Sequence, residues 1–459
     1  MMLLLMMAMV MCFPRGMLAQ PEAGEMQGPI VGEKPEAEEM QGPIVGEKPE
    51  AEEMQGPIVG KKPEAGEMQD HIVGEKPANN SGGWNRKERI FSLFNIVQFP
   101  NFACNSLDTV FPVGTCFTTS ECTSKGGTTS GSCAAGFGVC CLFKSSTCGS
   151  TFSNNLTYIT NPGFPATFNT AGTCTFTVNK CQADICQLRL DFLTAVQGVS
   201  ANTQGCCGAG CPTAADSLTV TGQTGVNPPV ICGTNTGEHM YVEVGSLAAD
   251  SVSLAFSVAG TTNDQWNIRV SQIPCSANYR APTNCVKYFT GSSGTVTSYG
   301  FTGNTLLQSQ NYDSCIRQEA GFCSIQWDES TVTAPADPFD LTGAQAAGAA
   351  ENIICANSFV HIPNGFIAPA AVTTAAGNLA AAVPPLTVFP SPALFLCGEV
   401  FGLFEAGAAA GTGVTASSVT TSTLPFSLST FTTGPLVALN DQGGNAAQGY
   451  SLGYTQQAC

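Results

Sequence analysis

Cysteine is the residue type through which this chain is best equipped to do chemistry. The sequence holds 22 cysteines in 459 residues. Thiols can bind metal ions, attack substrates or form disulfides, and so high a density is typical of proteins that fold in an oxidising compartment. Charged residues make up only 11% of the chain, and the formal net charge is −17. This charge balance disfavours nucleic acid and anionic membranes as partners.

The densest cluster of cysteines ends in an adjacent pair and lies in a segment too short to bury much apolar surface without cross-links. Its members are Cys104, Cys116, Cys122, Cys133, Cys140 and Cys141. Zinc binding is the alternative to disulfides, but the segment contains no histidine, and an oxidising compartment favours disulfides. Six cysteines can pair in many ways, and composition alone selects none of them.

Histidine-based catalysis finds little support in the sequence. The chain has three histidines, His71, His239 and His361. A hydrolytic triad needs a histidine beside a nucleophile and an orienting carboxylate, and nothing in the sequence places these groups together. The motifs Gly-Asp-Ser-Gly, Gly-x-Ser-x-Gly and His-Glu-x-x-His do not occur. We therefore predict a protein that is not an enzyme, with no catalytic residues and no cofactor.

The N-terminal residues are typical of an export signal. An apolar run from Leu3 to Phe13 and the small residue Ala19 predict a signal peptide over residues 1–19 and a mature chain that starts near Gln20. A membrane anchor is the alternative, but a span needs about 20 apolar residues and this run is shorter. We therefore expect a secreted protein with no membrane span.

Residues 20–89 contain four tandem copies of a 14-residue unit. Each copy has one Ile-Val pair among acids and glycines, which is too little apolar surface to build a core, so we predict a disordered acidic arm. The copies begin at Pro21, Pro35, Pro49 and Pro63. A repeated docking motif is the functional alternative to a duplicated linker.

Two modification sites are predicted where this arm ends. Asn79-Asn80-Ser81 is a sequon for glycosylation of Asn79. Arg86-Lys87-Glu88-Arg89 resembles a minimal furin-type site, which predicts cleavage after Arg89. A solvated cluster in an exposed linker explains the same four residues equally well.

The residues after the cysteine cluster alternate between apolar and polar side chains. In the segment from Ser251 to Val258, every second residue is apolar, which is the pattern of a half-buried strand. Short runs of this kind, separated by Gly, Pro and Cys, predict an antiparallel β-sandwich. Five motifs follow one another here: Cys148-Gly149, Pro162-Gly163-Phe164-Pro165, Cys174-Thr175-Phe176-Thr177-Val178, Asp216 before Ser217-Leu218, and Cys232-Gly233.

On these motifs, residues 144–274 resemble a CUB domain, whose fold is a jelly-roll-like antiparallel β-sandwich. The resemblance implies two disulfides, Cys148–Cys174 and a bridge from one member of a three-cysteine group to Cys232. The group consists of Cys206, Cys207 and Cys211, and its other two members would pair with each other. Cys181 and Cys186 enclose a short loop and are predicted to pair locally. Asn155-Leu156-Thr157 is a second sequon, at Asn155.

Many CUB domains hold a calcium ion through a Glu and two Asp, and the ion orders loops that grip a basic partner. By the resemblance, Asp216 and Asp264 match the two Asp residues, while the Glu expected shortly after Phe192 is missing. Calcium takes about six to eight oxygen ligands, several of them carboxylates. We therefore predict no effective calcium site and expect Asp216 to serve a turn.

Residues 275–459 repeat the same order of motifs in divergent form and are interrupted by an Ala-rich insert, so they resemble a second CUB-like sandwich. Ser358 stands where the calcium-binding Asp is expected, which predicts no calcium site in this domain. Predicted bridges are Cys355–Cys397 and Cys315 with either Cys285 or Cys323. Seven cysteines from Cys275 onward leave one over, free or paired with a partner chain.

Residues 90–143 resemble arthropod clip domains in cysteine spacing and in the terminal Cys-Cys pair. That resemblance implies three bridges, Cys104–Cys140, Cys116–Cys133 and Cys122–Cys141. The order of arm, knot and two sandwiches resembles a family of secreted arthropod proteins. It implies an all-β, non-catalytic extracellular protein that binds protein or glycan partners. A structural cuticle or matrix component, linked by disulfides into oligomers, is the alternative, and a regulatory relative of clip-domain proteases is a third.

Overall fold

The fold is all-β over the part of the chain that the structure describes, as predicted. The structure, a computed structural model, describes residues 98–198, 205–208, 211, 215–260, 262–331, 338–341, 358–367, 393–397, 401–402, 416–433 and 447–459. The predicted signal peptide, the repeat arm, Asn79, Arg89 and Cys355 of the predicted Cys355–Cys397 bridge lie outside these residues. In the described ranges, no helix is long and apolar enough to cross a membrane.

The N-terminal knot consists of four short strands and one helix. The strands are β1 (Ala103–Asn105), β2 (Val113–Phe117), β3 (Thr128–Cys133) and β4 (Gly138–Ser145). Helix α1 (Thr119–Ser124) begins with a capping box, in which Thr118 and Glu121 satisfy each other's backbone N–H groups. A short 3-10 turn, Ala134–Gly136, connects β3 to β4.

Three disulfides form most of the knot's interior. They join Cys104 to Cys140, Cys116 to Cys133 and Cys122 to Cys141, which are the pairs that the clip resemblance implied. The sulfurs occupy the positions that large apolar side chains hold in a bigger domain. Cross-links therefore supply the stability that so small a core cannot.

The first sandwich follows directly. Its strands are β5 (Thr151–Phe152), β6 (Thr157–Thr160), β7 (Gly172–Asn179), β8 (Ile185–Val196), β9 (Ser217–Thr221), β10 (His239–Glu243), β11 (Ser251–Val258) and β12 (Gln265–Pro274). One sheet has the order β5-β7-β11-β9. The facing sheet, which we call the extended sheet, has the order β1-β2-β4-β6-β12-β8-β10, with β3 beside β4.

The knot is therefore continuous with the first sandwich. Strand β4 runs parallel to β6, with Phe143 aligned with Thr157. The predicted boundary between residues 143 and 144 thus falls inside β4. The core between the two sheets contains the alternating apolar residues of β11, as expected from their spacing, and Phe256 stacks on Trp266 with ring centroids 4.3 Å apart.

The second sandwich comprises the remaining strands. They are β13 (Cys285–Phe289), β14 (Ser293–Thr297), β15 (Asn311–Ile316), β16 (Phe322–Glu329), β17 (Phe339–Asp340), β18 (Ser358–Pro363), β19 (Phe366–Ile367), β20 (Ala393–Leu396), β21 (Val419–Thr421), β22 (Phe426–Thr432) and β23 (Gly449–Ala458). A 3-10 turn, Phe301–Gly303, follows β14. One sheet has the order β13-β15-β22-β18-β20, and the other β14-β23-β16-β21-β19 with β17 beside β23.

The two sandwiches pack on each other through β10 and the segment from β13 to β15. Tyr299 and Tyr312 of the second sandwich belong to the same buried cluster as the core of the first. The Tyr299 hydroxyl donates a 2.7 Å hydrogen bond to the carbonyl of His239. The fully buried Lys287 ammonium lies 2.5 Å from Glu238. A buried charge is tolerated because it is paired, so this contact fixes the relative placement of the two sandwiches.

The disulfides of the first sandwich correct one prediction. Cys148–Cys174 and Cys207–Cys232 are present, and Cys206 pairs with Cys211. The predicted Cys181–Cys186 bridge is wrong. Cys186 pairs with Cys275, because β8 and β12 are adjacent and their register places Ile185 opposite Pro274.

The unpaired cysteine is also not where the sequence predicted it. Because Cys275 pairs back into the first sandwich, the count of cysteines after it leaves none over. Cys285 pairs with Cys315, and Cys323 with Cys459 at the end of β23. Among the described residues, Cys181 is the free thiol, and it is exposed.

Candidate functional site

The two predicted calcium ligands meet at one end of the first sandwich. Asp216 directly precedes β9 and Asp264 directly precedes β12, so the two facing sheets bring them together. Their exposed fractions are 1% and 0%. The Thr262 hydroxyl lies between them, 2.5 Å from Asp216 Oδ2 and 3.1 Å from Asp264 Oδ1. The CUB resemblance matches both residues to calcium ligands.

The protein already satisfies most of the oxygens of this carboxylate pair. The Ala259 N–H donates to Asp216 Oδ1 at 2.5 Å, and the Gly198 N–H donates to Asp264 Oδ1 at 3.0 Å. A Cβ at Gly198 would lie 2.3 Å from Asp216 Oδ2, which explains a glycine at this position. Burial, together with the nearby Asp216 charge, raises the pKa of Asp264 to about 7. Two like charges this close favour the protonated form of Asp264.

These residues do not fit a calcium ion. The pair supplies two carboxylates, and three of their four oxygens accept hydrogen bonds from protein groups. Only Asp264 Oδ2 is buried without a partner. Across the described ranges, no three His, Cys, Asp or Glu side chains come close enough to hold a metal ion. Calcium requires about six to eight oxygens, which is more than this pair offers. The sequence predicted that Asp216 stabilises a turn, but its side chain connects two loops, because it accepts hydrogen bonds from Ala259 and Thr262.

The two described histidines pack between strands. His239 Nε2 accepts a 3.1 Å hydrogen bond from the Tyr288 N–H, and its ring contacts Phe289 edge to face. Burial, with Lys287 adding to it, lowers the pKa of His239 to about 3. His361 stacks on Phe395, and burial lowers its pKa as well. Both rings are therefore neutral at physiological pH.

A row of polar side chains crosses the outer face of the extended sheet. On β8, Leu188 and Leu190 enter the core, while Arg189 and Asp191 point away from it. The strand register places Asp191 beside Arg269 of β12. Polar residues at alternate positions of an otherwise apolar strand are the sequence signal for this row, but only the fold pairs β8 with β12.

Two arginines share one carboxylate in this row. Arg189 Nε lies 2.8 Å from Asp191 Oδ1, and Arg269 Nη2 lies 2.8 Å from Asp191 Oδ2. Arg189 Nη1 also donates to the Tyr241 hydroxyl at 2.9 Å. Although burial opposes the change, the two guanidinium groups hold the pKa of Asp191 below its usual range. Two cations beside one anion leave an excess of one positive charge.

This row forms the floor of a cleft of about 640 Å³ between the knot and the two sandwiches. We call it the arginine cleft. Phe102 of the knot lines one side, and Tyr288 and Arg317 of the second sandwich line another. Tyr279, which is 56% exposed, stands at its rim. The sequon residue Asn155 also lines it, although sequence reasoning found no link between that residue and a binding site.

Comparison with protein families identifies one part of the chain. Residues 282–457 match the family model of the animal CUB domain. The matched segment is the second sandwich, which is therefore similar to the animal CUB domain. A search of curated proteins found no similar sequence.

The search of solved structures found matches of low sequence identity and low structural similarity. The CUB1-EGF-CUB2 domain of human MASP-1/3 is 15% identical with a TM-score of 0.20, covering 66% of this chain and 100% of its own. The CUB1-EGF-CUB2 domains of rat MASP-1 are 13% identical with a TM-score of 0.21, covering 67% and 99%. The full extracellular region of zebrafish Gpr126/Adgrg6 is 11% identical with a TM-score of 0.23, covering 68% and 34%. At TM-scores this low, the likeness identifies no partner and no activity for this chain.

Proposed function

We propose that this protein is a secreted, non-catalytic binding protein that uses its CUB-type sandwiches to contact an extracellular protein or glycan. CUB domains are typically extracellular interaction modules, and the disulfides of the described residues suit an oxidising compartment. The observation that carries the proposal is the arginine cleft. It is open to solvent and lined by all three parts of the described chain, so a ligand seated there would contact each of them.

Several features support a binding role over catalysis. Arg and Tyr, which are enriched at interaction hot spots, line the arginine cleft. The buried Asp216–Asp264 pair has little access to a substrate, and His239 is engaged in packing against Tyr288. The clip-like character of the knot and kinship with the secreted arthropod proteins are part of the same proposal.

The test is capture of a partner from extracellular fluid by the immobilised secreted chain. Ser271 lines the arginine cleft, and Ser271→Trp would place a bulky side chain in it. Ser246 is exposed in the turn after β10, so Ser246→Trp is the matched control. The proposal expects a partner that is captured by the parent and by Ser246→Trp, and lost with Ser271→Trp. A secreted chain that captures no partner contradicts it.

A structural matrix role is the second candidate, and the exposed Cys181 thiol favours it. A free thiol at the surface of a secreted protein can cross-link chains. Non-reducing gels of the secreted protein separate the two roles. Covalent multimers favour the matrix component, and a single monomer band favours the soluble binder.

A further inference from the structure

We propose that the arginine cleft binds a carboxylate carried by a short acidic peptide segment of a partner protein. This inference rests on the proposed binding function and names the ligand class of the same site. Arg189 and Arg269 would hold the carboxylate, and the aromatic residues around the cleft would hold the side chains beside it.

Positively charged arginines are concentrated in the arginine cleft. From Gln98 to the C-terminus the chain has eight basic residues, of which four are arginines. Three of those four, Arg189, Arg269 and Arg317, line the arginine cleft. The fourth, Arg280, is paired with Glu243 at 2.5 Å. Because three of the four arginines after Gln98 line one cleft of an acidic chain, that cleft is a favourable place for an anionic ligand to bind.

Donors remain available at the floor of the cleft. A guanidinium group carries about five N–H donors in a planar fork that matches a carboxylate. The bonds to Asp191 and Tyr241 use Nε and Nη1 of Arg189, and the bonds to Asp191 use Nε and Nη2 of Arg269. The side chains of Arg189 and Arg269 are still 38% and 22% exposed. Both can therefore donate to a ligand without releasing Asp191.

The size of the charge excess favours a single carboxylate over a polyanion. Arg189 and Arg269 exceed Asp191 by one charge, and Arg317 is paired with Glu319 at 2.8 Å. One carboxylate neutralises that excess. A polymer with many anionic groups, such as a sulfated glycan, would also be repelled by the net charge of −17.

The aromatic residues that line the arginine cleft favour a peptide as the molecule that carries this carboxylate. Phe102 is 43% exposed and Tyr279 is 56% exposed, and Tyr241 and Tyr288 complete an aromatic lining. Aromatic side chains bury large apolar areas at low conformational cost and pack well against one another. A Glu or Asp flanked by aromatic residues complements such a cleft.

The experiment measures binding of two peptides to the full secreted chain by isothermal titration calorimetry. The probes are acetyl-Tyr-Glu-Tyr-amide and acetyl-Tyr-Gln-Tyr-amide, which differ in a single carboxylate. We expect the Glu peptide to bind at least tenfold more tightly. Arg189→Met should remove that preference, while the matched Arg280→Met should keep it. Melting temperatures confirm that each variant is folded, and Tyr279→Ala, an exposed change, should weaken both peptides alike.

Equal binding of the two peptides overturns the inference, and so does an unchanged preference in a folded Arg189→Met variant. A uronic acid oligosaccharide that binds more tightly than the Glu peptide, with the same dependence on Arg189, overturns the assignment to a peptide. The outcomes also distinguish a failure of this ligand assignment from a failure of the proposed function. If the parent captures a partner that Ser271→Trp loses and neither peptide binds, the binding function stands without this ligand. If the Glu peptide binds but no partner is captured, the ligand class stands and the partner function falls.

Discussion

Asp264 and Asp216 come from facing sheets of the first sandwich and share the hydroxyl of one threonine, Thr262. Both carboxylates are buried, and they are the two residues that the CUB resemblance matched to calcium ligands. The pair bridges the loops before β9 and β12 through hydrogen bonds. Because burial raises the pKa of Asp264, the pair makes the stability of the protein depend on pH.

Asp264 should make the stability of the folded protein depend on pH. Its pKa is raised from 3.8 to about 7 in the folded chain, so between these values the folded state holds a proton that the unfolded state has lost. This group therefore makes the protein less stable as pH rises from 4 to 7, by up to about 1.4 kcal/mol per pH unit. The free energy of unfolding measured in urea should fall more steeply between pH 4 and pH 7 for the parent than for Asp264→Asn. Parallel pH profiles for the two proteins would contradict the prediction.

His239 should act in the opposite direction. Its pKa is lowered from 6.5 to about 3, so the unfolded state binds a proton in this window and the folded state does not. The contribution of the neutral His239 ring to folding stability is therefore complete above pH 6.5 and is lost as the pH falls towards 3. Unfolding free energies of His239→Gln should decline less below pH 6.5 than those of the parent. An identical decline in both proteins would show that this ring is accessible to protons.

Calcium should have little effect on stability. A working site would stabilise the native state by about 2.7 kcal/mol at a hundredfold excess over Kd, which raises the melting temperature by several degrees. We expect the same melting temperature in millimolar calcium and in chelator, because three of the four Asp216 and Asp264 oxygens already accept hydrogen bonds. A rise of several degrees that Asp216→Ala abolishes would show that the ligand set was misassigned.

Covalent multimers, where they form, should depend on Cys181. It is exposed and free, whereas Cys186 is held by Cys275. Cys181→Ser should remove disulfide-linked species from non-reducing gels and leave the melting temperature within about a degree, because a surface change rarely shifts stability by more than about 0.5 kcal/mol. Multimers that persist in this variant would point to another cysteine.

The sequence predicted the sandwiches better than it predicted the site. Alternation along β11 identified its inward face correctly, because burial in a sheet has a period of two residues. The Cys186–Cys275 bridge and the Arg269–Asp191 pair depend on the register between β8 and β12. The second pair is separated by 78 residues. No local pattern encodes that distance, so neither the corrected disulfide nor the arginine cleft could be predicted before the strands were placed.

The central claim is that a partner binds in the arginine cleft, and the dissociation constant of the captured partner tests it most directly. The measurement compares the parent with Ser271→Trp and Ser246→Trp by surface plasmon resonance, with melting temperatures as the check on folding. We expect an affinity at least tenfold weaker for Ser271→Trp, a difference of about 1.4 kcal/mol, and no change for Ser246→Trp. Equal affinity of a folded Ser271→Trp variant and the parent would contradict it.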